Sequence, residues 1–195
     1  MIGVMAETPD VPSLLHYDHL IMQQVTNWAS NDFDILDTEG EAVGRVITSG
    51  SLMSRMMMGS RELLIAEVDE TPVLHLSDTV NFFRDTMNLA YPDGTPLAHL
   101  RQRWSFFRSR ADMHLADGRM VELHGSVWDY NYQFVVDAQE IGRVNREWGG
   151  LGRVFMGHSR YHLEFAPGLT EELHATVLGG VVALDLLRKK QQQSS

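Results

Sequence analysis

Apolar and polar residues alternate along most of the chain, and the alternation is broken at regular intervals by short turns rich in aspartate and glycine. Ile35–Val46 carries Asp37-Thr38-Glu39-Gly40 between two such runs, and Leu89–Leu100 carries Pro92-Asp93-Gly94. His114–Leu123 carries Asp117-Gly118, and Val135–Val144 carries Asp137-Ala138. A looser copy spans Leu64–Leu76 around Asp69-Glu70. A period of two places alternate side chains on opposite faces of a strand, and glycine after aspartate supplies the positive φ of a tight turn. The pattern therefore predicts five hairpins, about ten strands, and apolar segments near Leu20–Val25 and Tyr161–Phe165 raise the expectation to about twelve. Short, evenly spaced strands of this kind predict a sandwich or a barrel.

The C-terminal segment follows a different pattern. Thr170 is placed to cap a helix, Glu171 and Glu172 suit its N-terminal dipole, and Arg188, Lys189 and Lys190 suit its end. Between them, Leu173, Ala175, Val177, Leu178, Val181, Val182, Ala183, Leu184, Leu186 and Leu187 cover every face of the predicted helix. A helix apolar all round is either a membrane span or buried on all sides. The uncharged run Ala175–Leu184 stops at Asp185, well short of the roughly 20 residues a span requires, so the expectation is a buried helix. Gly179 and Gly180 would each cost about 1 kcal/mol relative to alanine, a cost that makes sense where barrel walls approach the helix axis closely. The predicted fold is mainly β, about ten to twelve strands in a sandwich or a barrel, with a buried helix at about residues 170–189. A flexible lead-in over residues 1–13 and a tail over 191–195 flank a single domain at 14–190. Ser51–Ser60, with three consecutive methionines, reads as irregular filling or a short helix over a barrel end, with a contact surface for a protein partner as the alternative.

Composition narrows the function classes. The chain has 195 residues, 44% of them hydrophobic and 22% charged, as an ordered globular domain does. The absence of cysteine excludes disulfides, thiolate metal sites and cysteine nucleophiles. The first residues lack the basic and long apolar regions of a signal peptide, which gives a cytoplasmic expectation. A net charge of −10 opposes generic attraction to nucleic acid, and no nucleic-acid partner is expected. The window from Leu97 to Arg110 nonetheless holds four arginines and no acid, +4 against −14 for the rest.

That window is the main candidate for chemistry. Arg101, Arg103, Arg108 and Arg110 flank Trp104 and Phe107, a combination that suits phosphate headgroups and interfacial rings. The competing expectation is a plain strand pair with arginines outside and aromatics inside. Gly157-His158-Ser159-Arg160-Tyr161 departs from a nucleophile elbow, since Tyr161 stands where the turn needs glycine and a strand follows. Gly149-Gly150-Leu151-Gly152 is followed by an extended pattern, not the helix N-terminus a phosphate loop requires. Asp32, Asp34 and Asp37 fail as a calcium loop because Leu36 and Asp37 occupy positions that need an oxygen ligand and glycine. The nine histidines pair most closely as His16 with His19, His114 with His124 and His158 with His162, and none gains a third ligand at metal spacing. No catalytic residue, metal or cofactor is expected.

The run Ile141-Gly142-Arg143-Val144-Asn145-Arg146-Glu147-Trp148, the strand Tyr161–Pro167, and the helix with Leu173, Ala175, Val177-Leu178-Gly179 and Val182-Ala183-Leu184-Asp185 together resemble the end of phospholipid scramblases and the wider Tubby-like and LURP-one-related group, in a bacterial-type form. The resemblance spans roughly residues 17–188 and is strongest in the last quarter. It implies a mainly β, about twelve-stranded antiparallel barrel closed around the buried C-terminal helix. The expected module is non-enzymatic, with a serine hydrolase at Ser159 as the remote alternative. The resemblance also implies a binding or scaffold role that includes anionic phospholipid at the inner membrane face, with a protein-interaction or transcription-related module as the alternative. Calcium dependence is not carried over, because Met156–Arg160 lacks the carboxylates of the scramblase calcium loop.

Overall fold

The structure, a computed structural model, describes residues 13–24, 33–49, 62–79, 86–103, 110–127, 129–145 and 160–193. After a single 3-10 turn at Leu14–His16, the strands are β1 (His19–Gln24), β2 (Phe33–Leu36), β3 (Ala42–Ser49) and β4 (Glu62–Glu67). They continue as β5 (Pro72–Thr79), β6 (Thr86–Ala90), β7 (Pro96–Arg103) and β8 (Arg110–Leu115). The last four are β9 (Met120–Ser126), β10 (Asn131–Val136), β11 (Gln139–Asn145) and β12 (Arg160–Phe165), followed by helix α1 (Glu171–Gln193). Each strand pairs with its neighbours in sequence, and β12 closes on β1 to complete a twelve-stranded antiparallel barrel. All five predicted hairpins form, and the two further apolar segments are β1 and β12.

The hairpin turns share one local chemistry. Asp37 Oδ1 accepts from the amides of Glu39 and Glu41, and Asp69, Asp93 and Asp117 each accept from the amide two residues on, all at 2.9 Å. An aspartate that bonds its own backbone in this way holds the turn from the first strand, before pairing begins. The pairings β2–β3, β4–β5, β6–β7 and β10–β11 each shift register by a bulge beside the turn, which raises local twist and helps close the sheet. These turns all fall on one rim, because an antiparallel meander brings every second connection to the same end.

Helix α1 enters from that rim. Thr170 caps it, with Oγ1 accepting from the Leu173 amide at 3.4 Å. Its apolar residues from Ala175 to Leu187 are almost fully buried among inward residues of the strands, including Leu74, Leu89, Leu100, Met113 and Phe134. A Cβ on Gly179 would lie 2.5 Å from Leu89 Cδ2, and one on Gly180 would lie 2.5 Å from Met113 Cε and 2.9 Å from Phe134 Cε1. The paired glycines thus serve the close approach of the wall. On β11, Gly142 does the same from the other side, facing Val177 Cγ1. The helix continues to Gln193, past the expected stop near residue 189 and into the expected tail; Gln191–Gln193 are good helix formers, so the last basic residues do not end it.

The expected lead-in of residues 1–13 lies outside the described residues except for Ser13. Ser13 Oγ and the Leu14 amide both donate to Glu67 Oε1 at 3.0 Å, which seats Leu14 in the core beside Gly44. The segment Ser51–Ser60 lies outside the described residues.

Candidate functional sites on the barrel wall and rims

The helix fills the barrel, so chemistry accessible to a partner belongs to the outer wall and the rims. At the rim opposite the hairpin turns, Tyr130 Oη donates to Asp185 Oδ1 at 2.7 Å, and the Arg188 guanidinium lies 3.9 Å above the Tyr130 ring. Tyr130 also stacks on Tyr161 at 4.7 Å, and Tyr161 meets Phe33 edge-on at 6.4 Å. Burial, reinforced by the Asp185 carboxylate, holds the Tyr132 and Tyr161 hydroxyls well above the usual phenol range. Both stay neutral at any physiological pH and cannot serve as bases. This group clasps the C-terminal half of the helix to β10, β12 and the β9–β10 connection. Sequence spacing gave no sign of it, because Tyr130 and Asp185 stand 55 residues apart.

At the opposite end of α1, His174 is buried against Phe165 with ring centroids 4.1 Å apart, and its Nε2 lies 3.1 Å from the Tyr17 carbonyl. A carbonyl only accepts, so Nε2 carries the proton. Burial is the leading cause that lowers the pKa values of His174, His162 and His99. The unfolded chain takes up these protons near pH 6.5, whereas the folded chain resists them to lower pH. Stability is therefore full above about pH 6.5 and falls as pH drops below it. Urea denaturation should show lower stability at about pH 5.5 than at 7.5, with a shallower decline in His174→Gln. A flat profile over that window contradicts the assignment.

The arginine segment divides. Trp104, Phe107 and Arg108 lie outside the described residues. Arg101, half-buried on β7, pairs in register with Asp112, and Arg103 pairs with Arg110 across β7–β8. The β7–β8 ladder thus brings Arg101, Arg103 and Arg110 together at the rim opposite the hairpin turns. Near them on the same ladder, the rings of His99 and His114 stack at 5.1 Å.

Histidines expected to be scattered by strand alternation meet at one place. His19 of β1 faces Glu164 of β12 in register, and His162 stands two residues from Glu164 on the same side of the strand. The His19 and His162 rings stack with centroids 5.2 Å apart and planes 14° apart. The alternation His162-Leu163-Glu164 signals two ligands on one face, but the third becomes visible only once β1 is known to close on β12. Of the remaining motifs, Gly149–Gly152 and Ser159 lie outside the described residues, and Arg160 and Tyr161 begin a strand. Asp34 lies on β2, and Asp37 is occupied by its own turn.

A closed antiparallel barrel around a hydrophobic C-terminal helix is the Tubby-like architecture. The chain belongs to the LURP-one-related family, whose model matches residues 18–185. Its fold is similar to the X-ray structure of an Arabidopsis thaliana protein, with a TM-score of 0.58 at 15% identity, covering 95% of this chain and 99% of that one. That likeness concerns the fold. No curated protein sequence matches significantly. No helix among the described residues is long and apolar enough to cross a membrane.

Proposed function

We propose that the domain is a non-enzymatic module that binds anionic phospholipid headgroups through the β7–β8 end of the barrel, as a peripheral protein of the cytoplasmic membrane face. The observation that carries this reading is the register of Arg103 against Arg110, two pairs beyond Arg101 and Asp112 on the same ladder. Like charges directly opposite on neighbouring strands are unfavourable, and a phosphate between them relieves the repulsion. The similarity of the last quarter of the chain to phospholipid scramblases supports a lipid partner. Trp104 and Phe107 supply the ring types that settle at a membrane interface.

A chain of net charge −10 is repelled by an anionic surface at long range, so attraction has to be local. Sedimentation with vesicles of anionic phospholipid tests this. The wild-type chain is expected to pellet with them near 50 mM salt and to be released as salt rises, because the Debye length shrinks from about 10 Å at 0.1 M to about 3 Å at 1 M. Zwitterionic vesicles should leave it in solution. A chain that ignores anionic vesicles even at low salt contradicts the proposal.

A further inference from the structure

The seam where the first and last strands close the barrel carries a set of side chains unlike any other group in the described structure. His19, His162 and Glu164 place their ligand atoms within 4.8 Å of one another, the one such group of three among the described residues. Two come from alternate positions of β12 and the third from the register partner on β1, so the backbone ladder itself sets their spacing. Their neighbours are occupied elsewhere. Arg143, the register partner of Glu164 on β11, is held by Glu140 through Nε at 3.0 Å and Nη2 at 2.9 Å. Arg160, two residues before His162, donates from Nη2 to Gln23 on β1. Glu164 is exposed. Asp18 precedes His19, and its carbonyl accepts from the Phe165 amide at 2.9 Å, pinning the end of β1 beside Glu164.

We propose that His19, His162 and Glu164 form a site for a divalent transition metal of the zinc type, which staples β1 to β12 across the closing seam of the barrel. Two imidazoles and one carboxylate suit borderline ions, whereas calcium and magnesium prefer all-oxygen sets. Bonds of about 2.0–2.2 Å to each ligand require the ligand atoms to draw in to roughly 3.3 Å of one another, within reach of side-chain rotation on a fixed ladder. Of the three, His162 is buried and Glu164 is exposed, so an ion reaches the site from the Glu164 side. The consequence is conditional stability, because an ion that binds only the closed barrel favours the folded chain.

The test is calorimetric titration of the metal-stripped full chain with Zn2+, beside Ca2+ and Mg2+ and with Co2+ absorption as a second readout. The expected result is one saturable Zn2+ site per chain, a raised Tm, visible d–d absorption with Co2+, and no comparable response to Ca2+ or Mg2+. His19→Ala and Glu164→Gln, both outside the core, should weaken Zn2+ binding by about tenfold or more and remove the Co2+ signal. His124→Ala, on the distant β9, should leave both unchanged. Absence of a saturable site overturns the proposal. So does binding that survives both seam substitutions, or that is lost equally in His124→Ala.

Discussion

Truncation after Gly168, or the single change Leu178→Glu, should convert the chain into an insoluble or molten species. Leu178 is wholly buried, and so are Val177, Val182 and Ala183 beside it. Each large apolar side chain that loses this burial forfeits roughly 1.5–3 kcal/mol. The loss from truncation therefore exceeds a typical net stability of about 5–15 kcal/mol. The strands cannot compensate, because their inward residues, from Leu20 and Met22 to Phe134 and Leu163, pack around α1. In the point variant the cavity remains filled, but a carboxylate without a partner sits in it, at a cost of several kcal/mol. Near-UV circular dichroism and urea titration should show lost tertiary packing and no cooperative transition. A truncated chain that unfolds cooperatively contradicts the account.

Changing Arg101, Arg103, Arg108 and Arg110 together to glutamine should lower the partition onto anionic vesicles by about a thousandfold. Each arginine near an anionic surface contributes about 1 kcal/mol, so four removals amount to about 4 kcal/mol, close to three factors of ten. Folding should persist. Arg101 is only half-buried, and Arg103 and Arg110 stand at the ends of β7 and β8 rather than in mid-strand. Vesicle sedimentation gives the partition, and thermal unfolding confirms the fold. A variant that folds and still binds within a few-fold of wild type places the lipid contact elsewhere.

Local chemistry made most of the fold legible. Asp93 and Asp117, each followed by glycine, and Asp37, three residues before Gly40, announce turns because such an aspartate satisfies the backbone of a tight turn without outside help. Thr170 and the all-round apolar helix likewise identify themselves within a few residues. Even the glycine pair Gly179-Gly180 pointed to close wall contact, which Leu89, Met113 and Phe134 supply. Other features depend on closure of the ring. The Tyr130–Asp185 hydrogen bond and the meeting of His19 with His162 and Glu164 join residues separated by more than 50 positions. Alternation says which face a side chain occupies but not which strand stands beside it, so the first-to-last pairing had no signature. The arginine window was visible as a charge run, whereas the opposition of Arg103 and Arg110 follows from the β7–β8 register.

Amide hydrogen exchange across the intact chain tests the central claim, a helix serving as the core of a closed barrel, most directly. Amides in an element whose exposure requires global unfolding exchange with the full unfolding free energy. The account predicts that the amides from Val177 to Leu184 are among the slowest in the protein, as slow as those of the strands that surround them, in detergent-free buffer. Exchange of this segment well ahead of the barrel strands, or protection that appears only in detergent or lipid, would contradict it.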